Sequence, residues 1–211
     1  MAAELTFYTN PMSRGQIARW MLEEVGAPYD ARLLDYGTTM KAAAYLAINP
    51  MGKVPAIVHG GRIVTECAAI CAYLADAFPA AGLAPALADR DDYYRWLFFA
   101  AGPLEQAITA ASFGIEPDAR QQMMAGFGTL AQALDALEGA VAGKAFVAGD
   151  RFSAADVYVG SQIDWGLQFG TIPARPAFED YVGPLRERAA YRRAKDIDNA
   201  LIAKMQGENP A

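Results

Sequence analysis

Histidine and cysteine are scarce: His59 stands alone of its type, and Cys67 and Cys71 are the two thiols in 211 residues. One imidazole leaves no His-rich metal site and no Ser-His-Asp triad with a spare. Two cysteines cannot build a disulfide framework. Four apart on a helix they are same-face neighbours, read as small apolar core residues in a reducing compartment. Long apolar runs are missing too. The stretches 67–75 and 96–104 stop well short of the roughly 20 residues a spanning helix needs, and Pro79, Gly82 and Pro85 break the run 77–88. Positive charge is in deficit, with 18 basic against 24 acidic residues and a net charge of −6. That argues against nucleic acid or an anionic membrane surface as the main partner. The opening Met-Ala-Ala-Glu-Leu-Thr-Phe-Tyr lacks the basic start and apolar stretch of a secretory signal, so a cytoplasmic location is expected. What remains is 54% apolar and 20% charged, a core-forming composition. The length allows one large domain or two small ones.

The first 78 residues alternate short apolar runs with helical patterns. Leu5 and Phe7 alternate with polar neighbours as in a half-buried strand. Asn10-Pro11 punctuates the chain, and Ile17, Trp20, Met21 and Val25 then share a helix face that Gly26 terminates. Residues 29–34 read as a second strand and 35–53 as a polar, irregular stretch. Residues 54–58 and 62–64 are β-rich and joined by Gly60-Gly61, a hairpin signal. Residues 66–78 form a helix with Cys67, Ile70, Cys71 and Leu74 on one stripe. The order β-α-β-loop-β-β-α makes strands 1 and 2 parallel and the hairpin antiparallel.

Residues 79–88, uncharged and rich in proline, read as a linker. From 89 to 211 the pattern is helical. A first helix over 89–113 carries the aromatic cluster Tyr93, Tyr94, Trp96, Phe98 and Phe99. A second has Met123, Phe127, Leu130, Leu134, Leu137 and Val141 at bundle spacing. Ser153 and Asp156 stand in a capping-box arrangement, with Phe152 placed to staple against Val157. The helix 154–169 that follows is apolar almost all round and belongs inside a bundle. Asp156 is read as structural.

Three features could carry chemistry. Ser13 opens the first helix, with Gln16 three residues on to complete a capping box; its hydroxyl either only caps or also faces a ligand where the helix dipole favours negative charge. In Asn49-Pro50-Met51-Gly52-Lys53-Val54-Pro55, a cis Val54–Pro55 bond would free the Val54 backbone to pair with an extended peptide; otherwise the segment is a plain turn. Thr65-Glu66-Cys67 opens the third helix, where backbone N–H groups can hold a carboxylate and Glu66 an ammonium; otherwise Glu66 merely matches the dipole.

With an all-helical half following, these motifs and Phe152-Ser-Ala-Ala-Asp156 make the chain resemble the cytosolic glutathione transferase superfamily, especially serine-type bacterial members, over roughly residues 5–194. The resemblance implies an α/β thioredoxin-like N-terminal domain (1–78), a linker (79–88), an all-α C-terminal domain (89–211), a homodimer and binding of glutathione, with no metal. It implies that Ser13 hydrogen-bonds the glutathione sulfur, that Val54 ahead of cis-Pro55 pairs with the cysteinyl unit, and that Glu66 and Cys67 hold the γ-glutamyl end. Most members carry serine where this chain has Cys67, so the thiol either contributes through its backbone N–H or weakens this grip. Lys53 and Lys41 are placed to neutralise the glycyl carboxylate. Tyr8 and Arg14 are alternative partners of the sulfur. A pocket for a small hydrophobic electrophile is expected between the first turn and the helical domain, with Met12, Phe113 and Trp165 as lining; a core role is equally open to Phe113 and Trp165.

One hydroxyl and a helix terminus suffice for the implied chemistry. Bringing a thiol from about 8.5 down by about two pH units takes roughly 2.7 kcal/mol. A hydrogen bond to a charged acceptor supplies about 1.5–3 kcal/mol and a helix N-terminus roughly 0.3–1. The implied activity is attack of glutathione thiolate on an electrophile. A peroxidase, disulfide reductase or isomerase on the same scaffold, or a glutathione-fold binding protein without chemistry, are the alternatives.

Overall fold

The computed structural model describes residues 4–208. The chain forms two compact units. One comprises the chain up to Gly82 together with the chain from Glu187 onward; the other is Leu83–Arg186. No helix among the described residues is long and apolar enough to cross a membrane.

The first unit is built on a four-stranded sheet in the order β2-β1-β3-β4, from β1 (Leu5–Thr9), β2 (Asp30–Leu33), β3 (Ala56–His59) and β4 (Arg62–Thr65). β1 and β2 are parallel, bridged by α1 (Gly15–Val25), and the other two pairings are antiparallel. Alternation along β1 decides which side chains face which layer. Leu5, Phe7 and Thr9 are buried, and the Arg19 guanidinium of α1 lies over the Phe7 ring. Tyr8 points the other way, into a small cluster with Met40, Tyr45 and Ala56. Gly26 stops α1 in the left-handed region (φ 68°), with its N–H on the Leu22 carbonyl. Gly60 and Gly61 make the β3–β4 hairpin at positive φ, as expected of that pair.

α3 (Cys67–Ala77) buries the expected stripe Cys67, Ile70, Cys71 and Leu74. The stretch 35–53 is more ordered than its polarity predicts. It holds a 3₁₀ turn (Thr39–Lys41) and the short α2 (Ala43–Leu46), anchored by buried Met40 and Tyr45. The long α10 (Ala189–Glu208) packs against α1. Arg19 and Asp198 meet there at 2.8 Å, almost fully buried.

In the second unit the helix expected over 89–113 is broken. α4 (Asp91–Phe99) and α5 (Glu105–Ser112) flank a π turn, Ala100–Leu104, that contains Pro103. A proline inside a helix removes a backbone donor, and the wider turn absorbs the loss. The stripe from Met123 to Val141 is likewise two elements, α6 (Ala119–Met124) and α7 (Leu130–Val141). Gly128 at φ 61° separates them, and Met123 is 82% exposed instead of packed. α8 (Ala154–Phe169) runs buried through the middle, and α9 (Pro176–Arg186) packs on it. The Ser153–Asp156 capping box forms. Asp156 also accepts from Val147 N–H and from the Tyr181 hydroxyl, each at 2.7 Å. Burial pushes its carboxyl up, against these donors. Phe152 meets Phe146 edge to face.

Candidate functional site

Strand register gathers the three features. Tyr8 pairs with Ala56, and Ala56 with Thr65. The end of β1, the start of β3 and the end of β4 therefore lie side by side at one end of the sheet. At about 4.8 Å between strands, the residues just beyond them fall within roughly 10 Å. These are Asn10, Val54-Pro55 and Glu66. A direct contact ties the two flanking helix starts: the Cys67 thiol donates to the Arg14 carbonyl at 3.6 Å. Two helix N-termini thus open at the same end of the sheet, where anions are favoured.

Ser13 is 8% exposed at the opening of α1. Its Oγ accepts the Gly15 N–H at 2.9 Å and donates to the Asn10 carbonyl at 2.6 Å. The reciprocal half of the expected capping box does not form. Gln16 instead donates to the Pro11 carbonyl at 2.6 Å. The helix begins one residue later, with Arg14 at the cap and no side chain capping it. Gly15 is required there, since a Cβ would collide with Thr9 Oγ1 and come within 2.9 Å of Ser13 Oγ.

The Val54–Pro55 bond is cis. Among the described residues nothing hydrogen-bonds the Val54 N–H or C=O, so both are open to an extended ligand. The carbonyl just before is pinned. Tyr45 donates to Lys53 O at 2.6 Å and Asn49 at 2.9 Å. Burial pushes the Tyr45 hydroxyl up to about 12, which keeps it a donor. Glu66 sits at φ 65°, alone among the described non-glycine residues, and is exposed. Such strain costs on the order of 1–3 kcal/mol and concentrates at ligand sites.

The two lysines differ. Lys41 Nζ donates to the Met51 and Gly52 carbonyls at 3.1 and 3.0 Å and so braces the loop before Val54. Lys53 is exposed and pairs with no carboxylate among the described residues. Tyr8 lies with its ring 5.4 Å from Tyr45. Arg14 is exposed. Met12 is exposed in the first unit. In the second, Phe113 is 74% exposed, which removes it from the core, and Trp165 is half-buried against Phe169.

Two residues of the site were read only as punctuation or not at all. Asn10 is buried and ties its turn to β2 by donating to the Leu34 carbonyl at 2.8 Å, while accepting the Met12 N–H. The Asn-Pro pair is a turn signal, and an Asx brace is its usual physical content. Tyr36 donates to the Met12 carbonyl at 3.2 Å, a contact no local pattern announces.

Comparison with known proteins agrees with this fold. Residues 12–77 match the family model for the glutathione S-transferase N-terminal domain, and residues 102–183 that for the C-terminal domain. Glutathione S-transferase 3 of Zea mays is 31% identical, over 73% of this chain and 74% of its own. The glutathione S-transferase GstA of Escherichia coli O157:H7 is 30% identical over 76% of this chain and 78% of its own. A sphingomonad glutathione S-transferase solved in complex with glutathione is 31% identical and superposes with a TM-score of 0.75, covering 92% of this chain and 98% of that one. The chain belongs to the glutathione S-transferase family.

Proposed function

We propose that the protein is a glutathione transferase that conjugates glutathione to small hydrophobic electrophiles, with Ser13 as the residue that stabilises the thiolate. The observation that carries the reading is the coincidence, at one end of the sheet, of a nearly buried hydroxyl at a helix opening, an unpaired Val54 backbone and a strained Glu66. The relative solved with glutathione bound supports the ligand. In this arrangement Val54 pairs with the cysteinyl backbone, Glu66 takes the γ-glutamyl ammonium, the N-terminal amides of α3 take its carboxylate, and Lys53 offsets the glycyl carboxylate. Cys67, whose thiol is spent on Arg14 O, contributes its N–H. Homodimeric assembly and a cytoplasmic location belong to the same proposal.

The Ser13 proton rests on the Asn10 carbonyl. A neutral hydrogen bond of that kind is worth about 0.5–1.5 kcal/mol net, and one to a charged acceptor about 1.5–3. A thiolate arriving at the α1 opening therefore outcompetes the carbonyl, and the hydroxyl turns its proton to the sulfur while still accepting from Gly15. The thiolate then attacks the electrophilic carbon, a C–S bond forms, and the leaving group departs with its electron pair. No general base is needed, because the thiol loses its proton to solvent on binding. Positioning of the two reactants supplies the rest.

Ser13→Ala tests this. The ultraviolet absorbance of bound thiolate, followed against pH, should shift to higher pH by at least about one pH unit, with glutathione affinity changed little. An unaltered titration removes Ser13 from the mechanism.

A further inference from the structure

The turn that carries Ser13 is braced from three directions. Asn10 holds it to β2 and Tyr36 holds the Met12 carbonyl. The third brace reaches the distant end of the chain. Gln16 Nε2 donates to the Pro11 carbonyl at 2.6 Å, and Lys195 Nζ on α10 donates to Gln16 Oε1 at 3.0 Å.

These two bonds depend on each other. A glutamine amide has one donor end and one acceptor end, an ammonium only donates, and a carbonyl only accepts. Lys195 therefore dictates which end of Gln16 faces it, and leaves the NH₂ for Pro11. Turned round, the amide would set its oxygen against the Pro11 carbonyl and its NH₂ against the ammonium, two repulsive contacts. Lys195 is itself held in register by packed neighbours. Its ammonium lies 5.5 Å from the centre of the Tyr191 ring, which meets Trp20 of α1 edge to face. Asp198, three residues on from Lys195, is bound to Arg19, three residues on from Gln16.

We propose that Lys195 is a positioning residue for the sulfur site: by orienting Gln16 it fixes the Pro11 carbonyl and with it the turn backbone that carries Ser13. This rests on the reading of Ser13 given above. Lys195 touches no reacting atom. Its influence runs through two hydrogen bonds, so it belongs to the geometry of the turn rather than to the field around the sulfur.

A double-mutant cycle separates those two possibilities. Lys195→Met, Gln16→Leu, the double variant and Lys195→Arg are compared by steady-state kinetics with glutathione and an aryl halide, and by thiolate absorbance against pH. Removing Lys195 or Gln16 alone should lower kcat about three- to tenfold, the range expected of residues that bias a site through a network, while KM for glutathione changes less than about twofold. Each should move the thiolate titration to higher pH. The double variant should be no worse than either single one, and Lys195→Arg should restore most of the loss. If the two effects add in full, Lys195 acts through its charge alone and the proposal is overturned. It is overturned as well if activity falls while the titration stays in place, since the contact is then merely structural. Should Lys195→Met fail to fold, Gln16→Leu alone must still move the titration. Ser13→Ala in the same series keeps the two readings apart. If it titrates like the wild type, the Ser13 reading has failed. If it shifts and neither Lys195→Met nor Gln16→Leu does, only the present inference has.

Discussion

Glu66 holds a backbone conformation that its side chain opposes. At φ 65° an L-residue sets its Cβ against the following carbonyl, at a cost of about 1–2 kcal/mol that glycine escapes. The carboxylate meets no cation or donor among the described residues; in the function proposed above, a ligand ammonium is its partner. Glu66→Gly and Glu66→Ala divide the two effects. Both should weaken glutathione binding in calorimetry by more than about 1 kcal/mol, roughly fivefold or more, since both remove the acceptor. Only the glycine variant relieves the backbone, so it should be about 1 kcal/mol more stable than the alanine variant in thermal unfolding. Equal stabilities would show that the backbone at 66 carries no strain. Undiminished binding would return Glu66 to the role of a dipole-matching first-turn acid.

Elements are legible where their signal is local and misread where a pattern spans a break. Gly26, Gly60-Gly61 and the Ser153–Asp156 box all formed as the chain announced them, because each depends on a few consecutive residues. The stripe from Met123 to Val141 kept its spacing across Gly126-Phe127-Gly128, and periodicity alone ignores two glycines. Stop signals were present all the same. Asp118 with Gln121 and Thr129 with Gln132 are both complete capping boxes, and they mark two helix starts in place of one helix. The α8 box does more than cap. Asp156 gathers Val147 N–H, Ser153 N–H, Ser153 Oγ and Tyr181 Oη, all buried. Asp156→Ala strands these donors, each at about 1–3 kcal/mol. We expect a loss of about 3–5 kcal/mol in denaturant unfolding, with Asp156→Asn intermediate because it keeps one acceptor oxygen. A loss under about 1 kcal/mol would mean that water replaces the carboxylate.

At the scale of the molecule, distance along the chain sets what a sequence can reveal. Ser13, Val54-Pro55 and Glu66 each carry a local signature, and alternating strands bring them together. Lys195–Gln16 and Arg19–Asp198 each join residues 179 apart, and no window of sequence contains both partners. For the same reason the last helix reads as part of an all-helical half, whereas it packs into the unit that holds the sheet. Arg19 is the residue that makes this matter. Its side chain is buried in the first unit, and its guanidinium finds an opposite charge on α10. Breaking a buried pair by removing one partner costs about 3–5 kcal/mol, because the other charge is left without compensation, whereas replacing both with apolar residues is often close to neutral. Asp198→Leu should therefore lower stability by about 3–5 kcal/mol in denaturant unfolding. Adding Arg19→Met should recover most of it, even though the ion pair, the Arg19–Tyr29 hydrogen bond and the Arg19–Phe7 contact are then all missing. If the double variant stays as unstable as Asp198→Leu alone, the ion pair itself holds α10 in place. If it recovers, apolar packing along α1 holds the helix, and the charges serve to set its register, the register that places Lys195 opposite Gln16.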